Sequence, residues 1–222
     1  MPKTGKSQGR SQSSRRPGSV PSPSRASGCG LLSACAAAML FSPAGRAAGM
    51  RRTIRAVISA APPLGQDLGA KFALYAPPAK ADVPLAAGDS PRALGVVKPR
   101  GEVHRDGDWH RSVHVWLLDD RRRVLLQRRS EFKDTHPGML DVSCAGHITG
   151  SDPVLSTAVR ELEEELGISM AEQQLREAHL CTFPSAMRGA TAKHGEFVCN
   201  EFQEVFLVRL AGSLDASQLE LG

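Results

Sequence analysis

No aspartate or glutamate occurs in the first 66 residues of this 222-residue chain; Asp67 is the first acid. The stretch before it carries only positive charge and many Ser, Arg, Ala and Pro residues, the profile of an organelle transit peptide. Ten of the 28 basic residues precede Asp67, which leaves 18 against 23 acids beyond it, a net of −5. The basic balance of the whole chain therefore belongs to the leader, and no nucleic-acid surface follows from it. Cysteines are few: the five, at 29, 35, 144, 181 and 199, show no paired spacing, which excludes a disulfide framework and suits a reducing compartment. Long apolar runs are absent. Leu31 to Phe41 is too short for a membrane span, though long enough for a signal-peptide core. A secretory signal would not place some thirty basic, Ser-rich residues in front of such a core. There is no internal repeat. Aromatics are scarce, and Trp109 and Trp116 read as packing residues rather than a base-stacking platform.

These absences divide the chain into a basic leader at 1–66, a Pro/Ala/Gly-rich linker at 67–100 and a folded domain at 101–222. Plastid import is the first expectation and mitochondrial import the second; a tail without an address would leave the protein in the cytoplasm. The stretch from Met50 to Ala60 could serve as an amphipathic presequence in its own right, which makes Met50 an alternative start.

What the chain does possess is a glycine loop followed by a carboxylate-rich helix. Asp152 suits an N-cap, Pro153 the first helical position, and Gly167 a left-handed stop. Val154, Leu155, Ala158, Val159, Leu162 and Leu166 recur at helical spacing and predict a buried face over 153–166. Glu161, Glu164 and Glu165 stand at i, i+3 and i+4, so their carboxylates share one turn and repel unless a cation lies among them. Arg160 neutralises part of that charge, and a hard divalent ion with oxygen ligands would do so better. The plain alternative is a solvated acidic helix face.

The spacing from Gly146 to Ile168 resembles the Nudix box, Gly-x5-Glu-x7-Arg-Glu-U-x-Glu-Glu-x-Gly-U with U aliphatic, and departs from it at one fixed position, where Asp152 replaces the first glutamate. The resemblance implies that Glu161, Glu164 and Glu165 ligate catalytic metal, Mg²⁺ with Mn²⁺ as the alternative, that Gly146 offers its carbonyl, and that Arg160 orients the cluster. Glu163 holds the variable position and is assigned no role. The flanks, from Gly101 through His104, His110, His114 and Trp116 to Asn200 and Glu201, resemble the branch that contains type I isopentenyl diphosphate isomerase and its hydrolase-like relatives. In the isomerases a cysteine precedes the Gly-His pair, where this chain has Ala145. Cys144 is one residue off and, in a strand, faces the other way. Their metal site of three histidines and two glutamates finds matches in His104, His110, His147 and Glu201, with Cys199 at the remaining glutamate position and His104 one residue out of step. The isomerases have lost most of the box acids that this chain keeps, so the resemblance favours hydrolysis.

The expected chemistry is magnesium-assisted attack of water on a small-molecule diphosphate, with Glu164, Glu165 or Glu201 accepting the water's proton. Arg128 and Arg129 are candidates for a substrate phosphate, of which strand alternation lets only one face a pocket. His194 and Lys193, on a glycine-containing loop, are weaker candidates. Isolated histidines are more often scaffold than ligands, so a metal site on His104, His110 and His147 is the lesser expectation. Strands are expected at 111–118, 123–129, 139–145, 179–184 and 201–210, with a short polar helix near 171–177. The resemblance implies the α/β Nudix fold, an α/β/α sandwich with a mixed β-sheet. Because that fold continues into a further strand and helix, the domain is expected to be C-terminally incomplete. A non-catalytic module of a larger protein and an isomerase remain the alternative functions. No membrane span and no nucleic-acid partner are expected, and the sequence does not set the oligomeric state.

Overall fold

In the computed structural model the described residues are 55–58, 69–131, 136–191 and 195–211, and all structural statements refer to these. The rest of the leader, the loop residues Lys193 and His194, and the chain beyond 211 lie outside them, whereas 55–58, within the stretch read as leader, form a strand.

The strands are β1 (Arg55–Ile58), β2 (Lys71–Tyr75), β3 (Ala93–Pro99), β4 (Trp109–Leu118), β5 (Leu125–Arg128), β6 (Leu140–Asp141), β7 (Cys144–His147), β8 (His179–Thr191) and β9 (Gly195–Arg209). The helices are α1 (Arg100–Asp106), α2 (Val154–Leu166) and α3 (Glu172–Ala178). The larger sheet runs β3-β2-β4-β9-β8, with β7 also paired to β4; β1-β5-β6 form a second, three-stranded sheet. Both sheets are mixed: β4 runs parallel to β9 and β1 parallel to β5, while the other pairs are antiparallel. No helix among the described residues is long and apolar enough to cross a membrane.

β4 is the axis. On one of its faces Val113, Val115 and Leu117 pack with Ala158, Leu162 and Leu166 of α2, Leu175 of α3 and Phe206 of β9. His110, Ser112, His114 and Trp116 alternate onto the other face, where α1 brings His104 against His110. Helices therefore cover both sides of a mixed sheet, the expected α/β architecture. Trp116 sits in a second core with Leu126, Val142, Phe183 and Val205, and Trp109 tilts against Phe202, so both tryptophans are packing residues. Ser143 fixes how β7 enters: its hydroxyl donates to the Leu125 carbonyl at 2.7 Å and accepts from the Leu117 N–H at 2.9 Å, tying β4 and β5 together one residue before β7 begins.

Several details differ from expectation. β2 and β3 lie within the stretch whose composition reads as linker. Phe72 and Leu74 of β2 are buried against Val103, but a five-residue strand is too short to raise a period-two signal above its Pro- and Gly-rich surroundings. The strand expected at 139–145 is two short ones with a break at Val142 and Ser143. Asp152 does not cap α2; Pro153 occupies the N-cap, and its carbonyl accepts from the Thr157 N–H and the Thr157 and Ser156 hydroxyls. Gly167 ends the helix as expected, with φ at 63°. β8 and β9 extend far beyond the expected strands into a long hairpin.

Candidate active site

β7 carries chemistry on both of its faces. Gly146 and His147 are neighbours in a strand, so their side-chain positions point opposite ways. On the Gly146 side stands the carboxylate helix: a Cβ on Gly146 would collide with the Glu161 carboxyl group, so only glycine admits that acid against the strand. Glu165, one turn on, meets the preceding same-face residue, Cys144, whose thiol is pushed well up in pKa by burial and by the nearby Glu165 and Glu161 charges. Arg160 bridges outward, with Nη2 3.0 Å from Glu161 and Nη1 3.0 Å from Glu164. Glu161 and Glu165 are half-buried, while Arg160, Glu163 and Glu164 are exposed. The helix thus seats two acids on β7 and leaves Glu164 at the rim. The cradle at Gly146 and the all-oxygen donor set fit a hard divalent cation.

On the His147 side lies a compact cluster. Among the described residues, His104, His110, His147 and Cys199 each place a potential ligand atom within 4.8 Å of the others. Backbone carbonyls fix two of the rings: His104 Nδ1 lies 3.0 Å from the Arg100 carbonyl and His110 Nδ1 3.0 Å from that of Asp108. A carbonyl only accepts, so each Nδ1 carries the proton and each Nε2 keeps its lone pair. Buried His110 Nε2 has no hydrogen-bond partner. Phe72 stacks on both His110 and His147, with centroids 5.2 and 4.9 Å apart. Arg100 lies over the same phenyl ring and contacts His147 Nδ1 at 3.3 Å. Burial lowers the pKa of His104 and of His110 to about 4, and lowers that of His147. All three rings are therefore neutral at pH 7, the form that binds metal.

Glu201 belongs to this cluster. Its carboxylate accepts from Ser112 Oγ at 2.8 Å and Cys199 Sγ at 2.9 Å, and lies 3.2 Å from His147 Nε2. Burial opposes its ionisation, but the facing His114 and His147 rings hold its carboxyl well below the usual range. The sequence grouped Glu201 with the box acids as one candidate base; the structure puts it across β7 from Glu161. Glu204, three residues on and on the opposite face of β9, is closed off instead, with Arg111 at 2.6 Å, His179 at 3.0 Å and Thr182 at 2.9 Å. Arg129 pairs with Asp141 at 2.8 Å, while Arg128 ends β5 exposed. Phe72, Arg100 and Ser112 were not expected at a site. Cys199 was legible, since it stands two residues before Glu201 and so shares its face.

A mixed sheet with a carboxylate helix seated on a strand glycine places the chain among α/β domains built around an acidic helix. The chain belongs to the Nudix family: the NUDIX domain matches residues 108–218. It is 45% identical over 117 residues to Nudix hydrolase 3 of Arabidopsis thaliana, covering 52% of this chain and 14% of that protein. An uncharacterised Nudix hydrolase of Clostridium acetobutylicum is 42% identical over 81 residues, 35% of this chain and 39% of its own length. The chain thus spans well under half of either hydrolase. An isopentenyl-diphosphate delta-isomerase of Mycolicibacterium vanbaalenii is 30% identical over 142 residues, 64% of this chain and 74% of its length.

Proposed function

We propose that the chain hydrolyses a diphosphate linkage in a small organic molecule, such as a nucleoside diphosphate joined to another group, with Mg²⁺ held by Glu161, Glu164 and Glu165 and the Gly146 carbonyl. The observation that carries this reading is the seating of Glu161 in the gap at Gly146, with Arg160 joining Glu161 to Glu164. When bound, the ion polarises phosphoryl oxygens and makes attached water more acidic. The residues supply the rest. Gly146 lets Glu161 approach the strand, the Arg160 guanidinium orients Glu161 and Glu164, and Glu164 stands open enough to accept a proton from water. Exposed Arg128 offers a fork for a substrate phosphate. Residues 1–66 are proposed to direct the domain to a plastid, which a fluorescent fusion of that segment would test.

Release of phosphate or a nucleoside monophosphate from a diphosphate panel, measured with and without Mg²⁺, tests the hydrolase reading against Glu161→Gln and Glu164→Gln. Turnover that needs both the ion and the acids supports it; a folded protein without turnover supports a non-catalytic module of a longer protein. One observation favours a second reading, isomerisation of a prenyl diphosphate: Glu201 lies among three histidines, as the isomerase resemblance implies. Ala145 at the position of the isomerase cysteine weighs against it, and proton exchange into isopentenyl diphosphate would decide.

A further inference from the structure

We propose that Phe197 is a substrate-binding platform on the His147 side of the sheet, and that the group it receives is a planar heterocycle, the base of a nucleoside, rather than a prenyl chain. The diphosphate itself is taken from the hydrolase reading; Phe197 bears on what that linkage carries. Strand alternation sets the direction of its side chain. Cys199 donates to Glu201 at 2.9 Å, and Glu201 lies 3.2 Å from His147, so the odd-numbered residues of β9 face the histidines. Phe197 stands on that face, two residues outward from Cys199.

Three observations set this ring apart from the packing aromatics. β4 begins at Trp109, opposite Asn200, so β9 from Gly195 to Cys199 has no β4 partner and pairs with β8 as a two-stranded ribbon. On that ribbon Gly189 lies directly opposite Phe197, and a Cβ there would come within 2.6 Å of the ring's Cζ. Gly189 has no positive φ, so the ring and not the backbone calls for glycine at this place. Among the described Phe, Tyr and Trp residues only Tyr75 and Phe197 are not buried. Tyr75 already contacts Phe202 and Arg111, whereas Phe197 has no ring or cation partner among the described residues. Phe197 is thus seated by a glycine gap yet only half-buried, with apolar area left to cover. Met187, opposite Cys199 and also half-buried, is its one large apolar neighbour on that face of the ribbon. A planar base gains from stacking on one rigid ring. A flexible prenyl chain gains in proportion to apolar area, of which one ring and one methionine offer little.

The test measures binding rather than turnover, on the full chain with Mg²⁺ present. Adenosine, guanosine, cytidine and uridine monophosphates, the products that cleavage of a nucleoside-linked diphosphate would release, are titrated calorimetrically beside ribose 5-phosphate, which lacks the base. At least one of the four is expected to bind at least about tenfold more tightly than ribose 5-phosphate. Phe197→Leu, which keeps apolar bulk and loses the ring, should cancel that advantage, and Phe197→Trp should keep it. If Phe197→Leu does not fold, Gly189→Ala takes its place, because the added methyl displaces the ring without removing it, and the loss expected is the same. Nucleoside monophosphates that bind no better than ribose 5-phosphate would overturn the proposal. So would an advantage that survives Phe197→Leu while the unfolding midpoint falls, since the ring would then only hold the ribbon together. A silent hydrolase assay leaves these affinities standing, and their failure leaves hydrolysis of a diphosphate without a base intact.

Discussion

The two faces of β7 solve the problem of holding charge in opposite ways. On the Gly146 face the acids sit at a half-open edge, where Arg160 and water screen them. On the His147 face neutral rings, a thiol and one carboxylate are buried together. The first arrangement leaves hard carboxylate donors open to solvent. The second desolvates its donors, which keeps the three imidazoles neutral and holds the Cys199 proton on sulfur. The lesson is that a four-residue strand can carry two unlike donor sets with no partition other than the pleat.

The sharpest way to separate the faces is Glu161→Gln, expected to lower Mg²⁺-dependent turnover by about 10²- to 10⁴-fold while changing unfolding free energy by less than about 1 kcal/mol, as read by parallel kinetics and urea titration. A loss of stability that accounts for the loss of turnover would mean that Glu161 supports the fold rather than the chemistry. Next comes Phe72→Ala, which removes the ring stacked on His110 and His147; it should lower unfolding free energy by about 3 kcal/mol or more in urea titration. A stability unchanged by this substitution would remove Phe72 from the support of the cluster.

These two substitutions also mark how far the sequence could be read. Glu161 was legible as a candidate because residues on one helix face must recur at fixed offsets, and because box glycines and acids lie within a 23-residue window. The buried face of α2 was legible for the same reason. Phe72 was not: it reaches the histidines from β2 through tertiary packing, and nothing local distinguishes it from any other apolar residue in a Pro- and Gly-rich stretch. The histidine cluster falls between these cases. His104, His110, His147 and Cys199 come from four separate elements or their ends, so no spacing rule joins them. Only the alternation of Cys199 with Glu201, together with the isomerase resemblance, hinted at their meeting. Asp152 failed as a cap because Pro153 took the N-cap place, a one-residue shift that propensities do not resolve.

A third prediction concerns acid. His104 and His110 have folded-state pKa values near 4 against 6.5 for a free ring. The unfolded chain therefore binds more protons between those values, and stability falls as pH falls through that window. Urea unfolding should show a loss of about 2 kcal/mol between pH 6 and pH 5. A flat profile would show that the rings are hydrated rather than buried. The smallest effect is expected from Gly146→Ala. The added methyl meets the end of a flexible glutamate, so stability should change by less than about 1 kcal/mol, while displacement of Glu161 cuts turnover. Full activity would show that the seat of Glu161 does not matter.

Ser143 gives these contrasts a further meaning. Its hydroxyl ties β4 to β5 just before β7 begins, so it sets which residue of β7 lies opposite which residue of β4. A slip of one position would turn His147 toward the acids and Gly146 toward the rings. Both side-chain clusters would then be lost at once, although no member of either had been mutated. Accurate assembly is in this sense a precondition of the chemistry, and a serine that touches neither set acts as its proofreader.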